Sequence, residues 1–298
     1  MKSKIILDLG QRLPGPLATY LLGEMGYKIV KVEWEDFRDP FSVPIEIQEI
    51  QNIPDGTFGK WYQKMQAKKL LKVFSLHNTE HMQEWQQLLQ ECIGIITSWP
   101  EQLKRSSQLN LLIKKHKGPL AYLEVESSRP MHDLNILANT GSLKSHLFQH
   151  RDKTRIPPPF LPVAGISFGQ SLALHLLDLL VQAVEQNSVI YKTLSLKEST
   201  ERLSTIFAPS IVGPHNGLYP CYYIYRTQAP QHFLALALME EKYWMRLVSE
   251  LKLSLQAKDR FCQDERVFQI LEQTIGSFTY ENALALSQKL ECVSLTSL

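Results

Sequence analysis

The residues that could do chemistry lie in three separated stretches of this chain. The first is Gly15-Pro16, in a run that reads apolar strand (Ile5 to Leu9), Leu-Pro-Gly-Pro, short helix ending on Gly26, and second strand (Tyr27 to Glu33). A turn without side-chain bulk lets a ligand approach backbone, and a β-α-β opening sets helix N–H groups beside the carboxyl end of a strand. The second is His132-Asp133, ahead of Leu-Asn-Ile-Leu. By type and spacing alone this pair reads as a helix start, with Asp133 as the cap. The third is Glu240, a first-turn acid for a helix beginning near Lys242. Cations that could meet an anion are Arg38, Lys68, Lys69 and Arg105, although charge clusters usually form solvated faces. Trp99, at a strand end, suits stacking on a base or ordinary half-burial.

Other chemistries are excluded or weakened. No G-x-G-x-x-G lies between Leu9 and Tyr20, which argues against a nicotinamide enzyme that would place Glu33 on the ribose. Cys92, Cys221, Cys262 and Cys292 lie far apart with no C-x-x-C, so no zinc site or disulfide frame is expected and no metal is assigned. A net charge of +2 gives no electrostatic case for nucleic acid or an anionic membrane, while a cofactor phosphate needs only a few local cations. The most apolar helical stretch, Ser171 to Val184, is too short to span a bilayer, and no charged-then-apolar leader opens the chain. A cytoplasmic protein is expected.

The elements that must position these residues alternate. After the first unit comes a polar, proline-dotted insertion (Trp34 to Gln63). Then follow a strand at Leu71–Leu76, a helix at His81–Glu91 and a strand at Gly94–Thr97. A helix at Arg105–Lys117, a strand at Pro119–Val125, a helix at Ser167–Glu185 and a strand at Ser188–Leu194 complete the series. Strands and helices at this spacing predict an α/β fold with a mostly parallel, Rossmann-like sheet. Beyond Gly213 a β-hairpin (Tyr219–Thr227 and His232–Leu238), helices at Lys242–Leu251 and Asp264–Ile275, a final helix and a short strand predict a smaller α+β domain. The expected division is 1–194, a linker at 195–212, and 213–298; with 298 residues and 44% hydrophobic content, two cores are affordable.

The opening residues Asp8, Leu9, Gly15, Pro16, Ala18, Leu21, Leu22, Gly26, Val30, Lys31, Val32 and Glu33 resemble, in register, the start of the class III coenzyme A transferases. That group includes carnitine-CoA and formyl-CoA transferases and the α-methylacyl-CoA racemases. Leu88 to Arg105, Met131 to Gly141, Gly217 to Glu240 and Leu290 to Val293 are also similar to family segments. The resemblance implies the family III fold and acyl-CoA as substrate, with a carboxylic acid as acceptor. It gives Asp133 the role of nucleophile, His132 that of a racemase base, and Glu240 a place near the active centre of a partner subunit. It implies coenzyme A contacts at Gly15, Pro16, Arg38, Lys68, Lys69 and Arg105, with Trp99 where the family has arginine. The second racemase base would stand at Ile166, which cannot take a proton, so racemisation is disfavoured. Five residues follow Val293, where the family continues into a segment that interlocks two chains; a homodimer is expected and its interlocking is in doubt. A diverged coenzyme A-binding or scaffold protein without catalysis is the alternative.

Overall fold

The computed structural model describes residues 5–41, 57–126, 132–149, 155–159, 161–207 and 217–297, and divides the chain into two compact units. The first comprises residues 1–142 and 157–205; the second, 143–156 and 206–298. Part of the expected linker, Leu196–Phe207, is helix, and residues 208–212 lie outside the described residues.

In the first unit the chain runs β1 (Ile5–Leu9), α1 (Pro14–Glu24), β2 (Lys28–Trp34), α2 (Thr57–Gln66), β3 (Leu70–Phe74), α3 (Thr79–Glu91) and β4 (Gly94–Thr97). It continues through α4 (Glu101–Ser106), α5 (Leu109–Lys114), β5 (Leu120–Glu126) and α6 (Asp133–Asn139). After α7 (Lys144–Gln149), which groups with the second unit, come α8 (Val163–Gln186), β6 (Val189–Ser195) and α9 (Leu196–Phe207). The six strands form one parallel sheet in the order β3-β2-β1-β4-β5-β6, as expected from the alternation. The order reverses beside β1, because β2 and β3 extend one way and β4 to β6 the other.

Period-two alternation sorts the strand residues between two covered faces. Ile5, Leu7, Leu9, Val30, Val32 and Trp34 join Trp85, Leu89, Leu109 and Ile113 in one core. Ile6, Ile29, Ile96 and Leu123 meet Ala18 and Leu22 of α1 and Phe168, Leu172 and Leu176 of α8 in the other. Asp8, Lys31 and Glu33 fall in phase with that second face and are buried there.

Several expectations change. The helix expected at Arg105–Lys117 is two helices, broken at Gln108, which takes a left-handed φ of 57°. The insertion contains helix α2, whose Tyr62 and Met65 are buried; residues 42–56 lie outside the described residues. Helix α8 begins four residues earlier than expected, directly after Pro162, and has 24 residues. By length and composition it could cross a membrane, contrary to the expectation from its most apolar stretch; one face packs instead on α1 and the sheet.

In the second unit, β7 (Tyr222–Arg226), β8 (His232–Ala237) and β9 (Val293–Ser297) form an antiparallel sheet. Helices α10 (Glu241–Glu250), α11 (Glu265–Gly276) and α12 (Tyr280–Lys289) share a core with it around Tyr225, Leu234, Trp244, Val267, Leu271 and Ala283. A six-stranded parallel sheet with a smaller antiparallel α+β unit is the predicted fold class.

Candidate functional site

Two groups of residues converge at the start of α1. The first is a buried ionic cluster beneath it. Asp8 and Lys31 are register partners on adjacent strands, so opposite charges stand side by side, near the carboxyl end of β1 and at the middle of β2. The Asp8 carboxylate accepts from the Gly10 N–H (3.0 Å), the Thr19 hydroxyl (2.8 Å) and the Lys69 ammonium (2.8 Å). Lys31 Nζ lies 3.6 Å from Asp8 Oδ1, donates to Asp39 at 3.3 Å and also donates to the Gly10 carbonyl. Burial alone would raise the Asp8 carboxyl, but Lys31 and Lys69, with hydrogen bonds from Lys69 and Thr19, hold it down to about 2. Lys69 also donates to the Pro16 carbonyl at 2.7 Å, so one ammonium ties α1 to β1.

The second group is formed by Asp133 and the start of α8. Asp133 opens α6, half-buried, and its Oδ1 accepts from the Gly165 N–H at 2.7 Å, with a further backbone hydrogen bond from Ala164. A carboxylate on the first N–H groups of a long helix is stabilised by the helix dipole and by those donors. Burial nonetheless raises the Asp133 carboxyl above its ordinary value, the two backbone bonds opposing the rise. A Cβ added at Gly165 would lie 2.9 Å from Leu13 Cδ2 and 3.7 Å from Asp133 Oδ1, so Leu13, Gly165 and Asp133 share one neighbourhood. Ile166, where the resemblance seeks a second base, follows directly in sequence. One turn on, a Cβ at Gly169 would lie 3.0 Å from the Pro14 carbonyl. The two glycines let α8 cross closely over the first turn of α1. Gly10 and Gly15 also approach one another, since a Cβ at Gly10 would come within 2.8 Å of Gly15 Cα.

The remaining sequence candidates fall as follows. Gly15 and Pro16 are buried in the first turn of α1, not in a free turn before it. Because Pro14 and Pro16 have no N–H and Leu17 donates to Leu13, Gly15 is the one residue of Pro14–Leu17 whose N–H lacks this engagement, and the expected anion cradle there is poor. Lys69 is buried against Asp8 and cannot reach a ligand without breaking that pair. Arg38 donates to the buried carboxylate of Glu33, which is thereby unsuited to a ribose. Lys68 is exposed and paired with Glu24, and Arg105 is exposed and paired with Glu101 one turn away. Trp99 is buried in an aromatic cluster, its ring 5.8 Å from Trp85 and 6.2 Å from Trp34; an adenine cannot stack there because those rings occupy the space. His132, not Asp133 as expected, is the exposed N-cap of α6, its N–H donating to Asn135. Asp133 is the first helical residue, and its carboxylate turns to the Gly165 N–H instead of capping its own helix. Glu240 lies in the second unit as the exposed N-cap of α10, where its carbonyl accepts from Tyr243 and Trp244. Among the described residues no group of three His, Cys, Asp or Glu could hold a metal ion.

Sequence reasoning named Asp8 and Lys31 only as matches and missed Asp39. Asp8 within the apolar residues of β1, and Lys31 between Val30 and Val32 of β2, were the available signal for the ionic cluster.

No family model matches the sequence, and no curated protein matches it significantly. Solved structures match its fold. A CAIB/BAIF family protein from Brucella suis superposes with a TM-score of 0.70 at 14% identity, over 99% of this chain and 82% of that chain. The hypothetical protein Rv3272 from Mycobacterium tuberculosis gives a TM-score of 0.66 at 16% identity, over 99% of this chain and 83% of that chain. This chain therefore has the fold seen in the CAIB/BAIF family protein.

Proposed function

We propose that this protein is a cytoplasmic, dimeric acyl-CoA:carboxylate CoA-transferase that uses Asp133 as its nucleophile. The observation that carries the reading is the Asp133 carboxylate, half-buried with a raised carboxyl and held by the Gly165 N–H beside Leu13 at the start of α1. A carboxylate kept from bulk water attacks the thioester carbonyl of acyl-CoA, giving an aspartyl–acyl anhydride and CoA thiolate. The thiolate attacks the aspartyl carbonyl, releasing the acyl group as carboxylate and leaving an aspartyl-CoA thioester. The acceptor carboxylate attacks that thioester and expels the thiolate, which then attacks the acceptor's acyl carbonyl. A new acyl-CoA leaves and Asp133 is restored. The fixed N–H donors at Gly165 and Ala164 keep the carboxyl oriented through these steps.

A second reading, a coenzyme A-binding or scaffold protein without catalysis, is favoured by the pairing of Arg38, Lys68, Lys69 and Arg105 with carboxylates. Transfer from acetyl-CoA to a panel of carboxylic acids, with calorimetry on coenzyme A, separates the two. Asp133→Ala is expected to lower transfer by at least about a thousandfold while coenzyme A still binds. Unchanged turnover in that variant removes the mechanism, and binding without any turnover by the unmodified chain supports the scaffold.

A further inference from the structure

We propose that Arg12 is a phosphate-binding residue for a nucleotide-type ligand, seated at the point where the strand order of the sheet reverses. This rests on the coenzyme A reading for the identity of the ligand, but not for the existence of the anion site.

Arg12 follows β1 by three residues and sits at φ 61°, a left-handed conformation that a branched or long side chain seldom adopts. Glycine or asparagine would occupy it at lower cost. The backbone is fixed there from below. The Arg12 N–H lies 3.1 and 3.0 Å from the two carboxylate oxygens of Asp39, itself only 1% exposed. Asp39 is held in turn by the Phe41 N–H at 3.0 Å and by Lys31. The neighbouring residue is fixed as well: Gln11 donates through its amide to the Arg38 carbonyl and through its N–H to the Ser98 hydroxyl. Ser98 follows β4, so these bonds tie together the loops leaving β1 and β4. In open parallel sheets ligands bind outside the carboxyl ends of the strands where the order reverses, here between β1 and β4.

On this anchored backbone the Arg12 side chain is exposed and, among the described residues, has no carboxylate partner. The four cations that sequence matching favours are all paired with carboxylates. Arg12 also adjoins Leu13 in sequence, and the Leu13 side chain packs against Gly165, whose N–H holds the Asp133 carboxylate. Arg12 and the residue that packs against the Asp133 anchor are thus consecutive in the loop that leaves β1. A planar guanidinium matches phosphate bidentately, which fits a phosphate monoester or diphosphate.

The test is calorimetry on the full chain with coenzyme A, 3′-dephospho-coenzyme A, pantetheine and ADP. The variants are Arg12→Gly and Arg12→Lys. Arg12→Gly suits the backbone angle and should melt at or above the temperature of the unmodified chain, so folding is not at issue. It should bind coenzyme A about 10- to 100-fold more weakly, with pantetheine binding unchanged, and Arg12→Lys should fall between. Loss confined to coenzyme A assigns Arg12 to the 3′-phosphate; equal loss for the dephospho form assigns it to the diphosphate. Coenzyme A binding by Arg12→Gly at full strength overturns the proposal while leaving the coenzyme A reading intact. If the unmodified chain takes ADP but not coenzyme A, and Arg12→Gly loses ADP, the anion site stands and the coenzyme A reading falls. Failure of the unmodified chain to bind either ligand overturns both.

Discussion

Lys69 reaches Asp8 across 61 positions of chain, 2.8 Å from its Oδ2, and spends a second hydrogen bond on the Pro16 carbonyl at 2.7 Å. Strand, helix start and ionic cluster are thus one mechanical piece. Removing one partner of a buried ion pair strands the other charge, at a cost of roughly 3–5 kcal/mol. Lys69→Met is therefore expected to lower the stability of the first unit by about that much in urea unfolding. If Lys69 instead served a ligand, the variant would fold normally and lose coenzyme A affinity alone.

Acid should unfold this cluster in a defined window. Asp8 is held near 2, below an unfolded value near 3.8. Its contribution is therefore complete above about pH 5 and is lost progressively as pH falls through the unfolded value toward 2 and below. The loss is on the order of 2 kcal/mol. Urea midpoints taken from pH 6 down to pH 2 should show the fall. Asp8→Asn should be less stable at pH 6 and show a flatter acid limb, and an unaltered limb would count against the assignment.

Asp133 has the opposite sign. Its carboxyl is raised in the fold, so ionisation there costs stability as pH rises through the folded value. Asp133→Asn keeps an acceptor for the Gly165 N–H without the charge, and should melt no lower than the unmodified chain at pH 7. Asp133→Ala leaves that N–H without its acceptor and should melt lower. Only the ionised carboxylate attacks a thioester, so the acid limb of transfer should lie above the ordinary carboxylate value near 3.8. Measured transfer rates against pH would show it.

Trp99 offers a sharp contrast between core and ligand. Trp99→Ala should cost about 3–5 kcal/mol, because it empties a site packed by Trp34 and Trp85. A stable variant with weakened coenzyme A binding would reverse the assignment.

The crossing of α8 over α1 can be probed at Gly169. Alanine gains up to about 1 kcal/mol in helix propensity there, yet its Cβ would stand 2.9 Å from Leu17 Cδ2 and 3.0 Å from the Pro14 carbonyl. The carbonyl cannot rotate away, so overpacking of about 1–3 kcal/mol should win. A stability loss in thermal unfolding is expected, and a gain would show that the helices are not in contact at this point.

What the sequence determined by itself was the order of elements and the faces they bury. Runs that are apolar but for one residue, such as Ile5–Leu9 around Asp8 and Gly94–Thr97 ending on Thr97, mark buried parallel strands, because both sheet faces are covered and every residue must be apolar or paired. The His132-Asp133 start of α6 was legible for the same local reason, since caps are set by neighbours within one turn. Tertiary structure alone decided which charges are free. Whether Lys69, Arg38 or Arg12 can meet a ligand depends on carboxylates up to 61 positions away, and on a fold that pairs the first two while leaving the third exposed. Long-range pairing leaves no trace in local spacing, because a lysine that serves an aspartate and one that serves a phosphate have the same chemistry until the backbone chooses their neighbour.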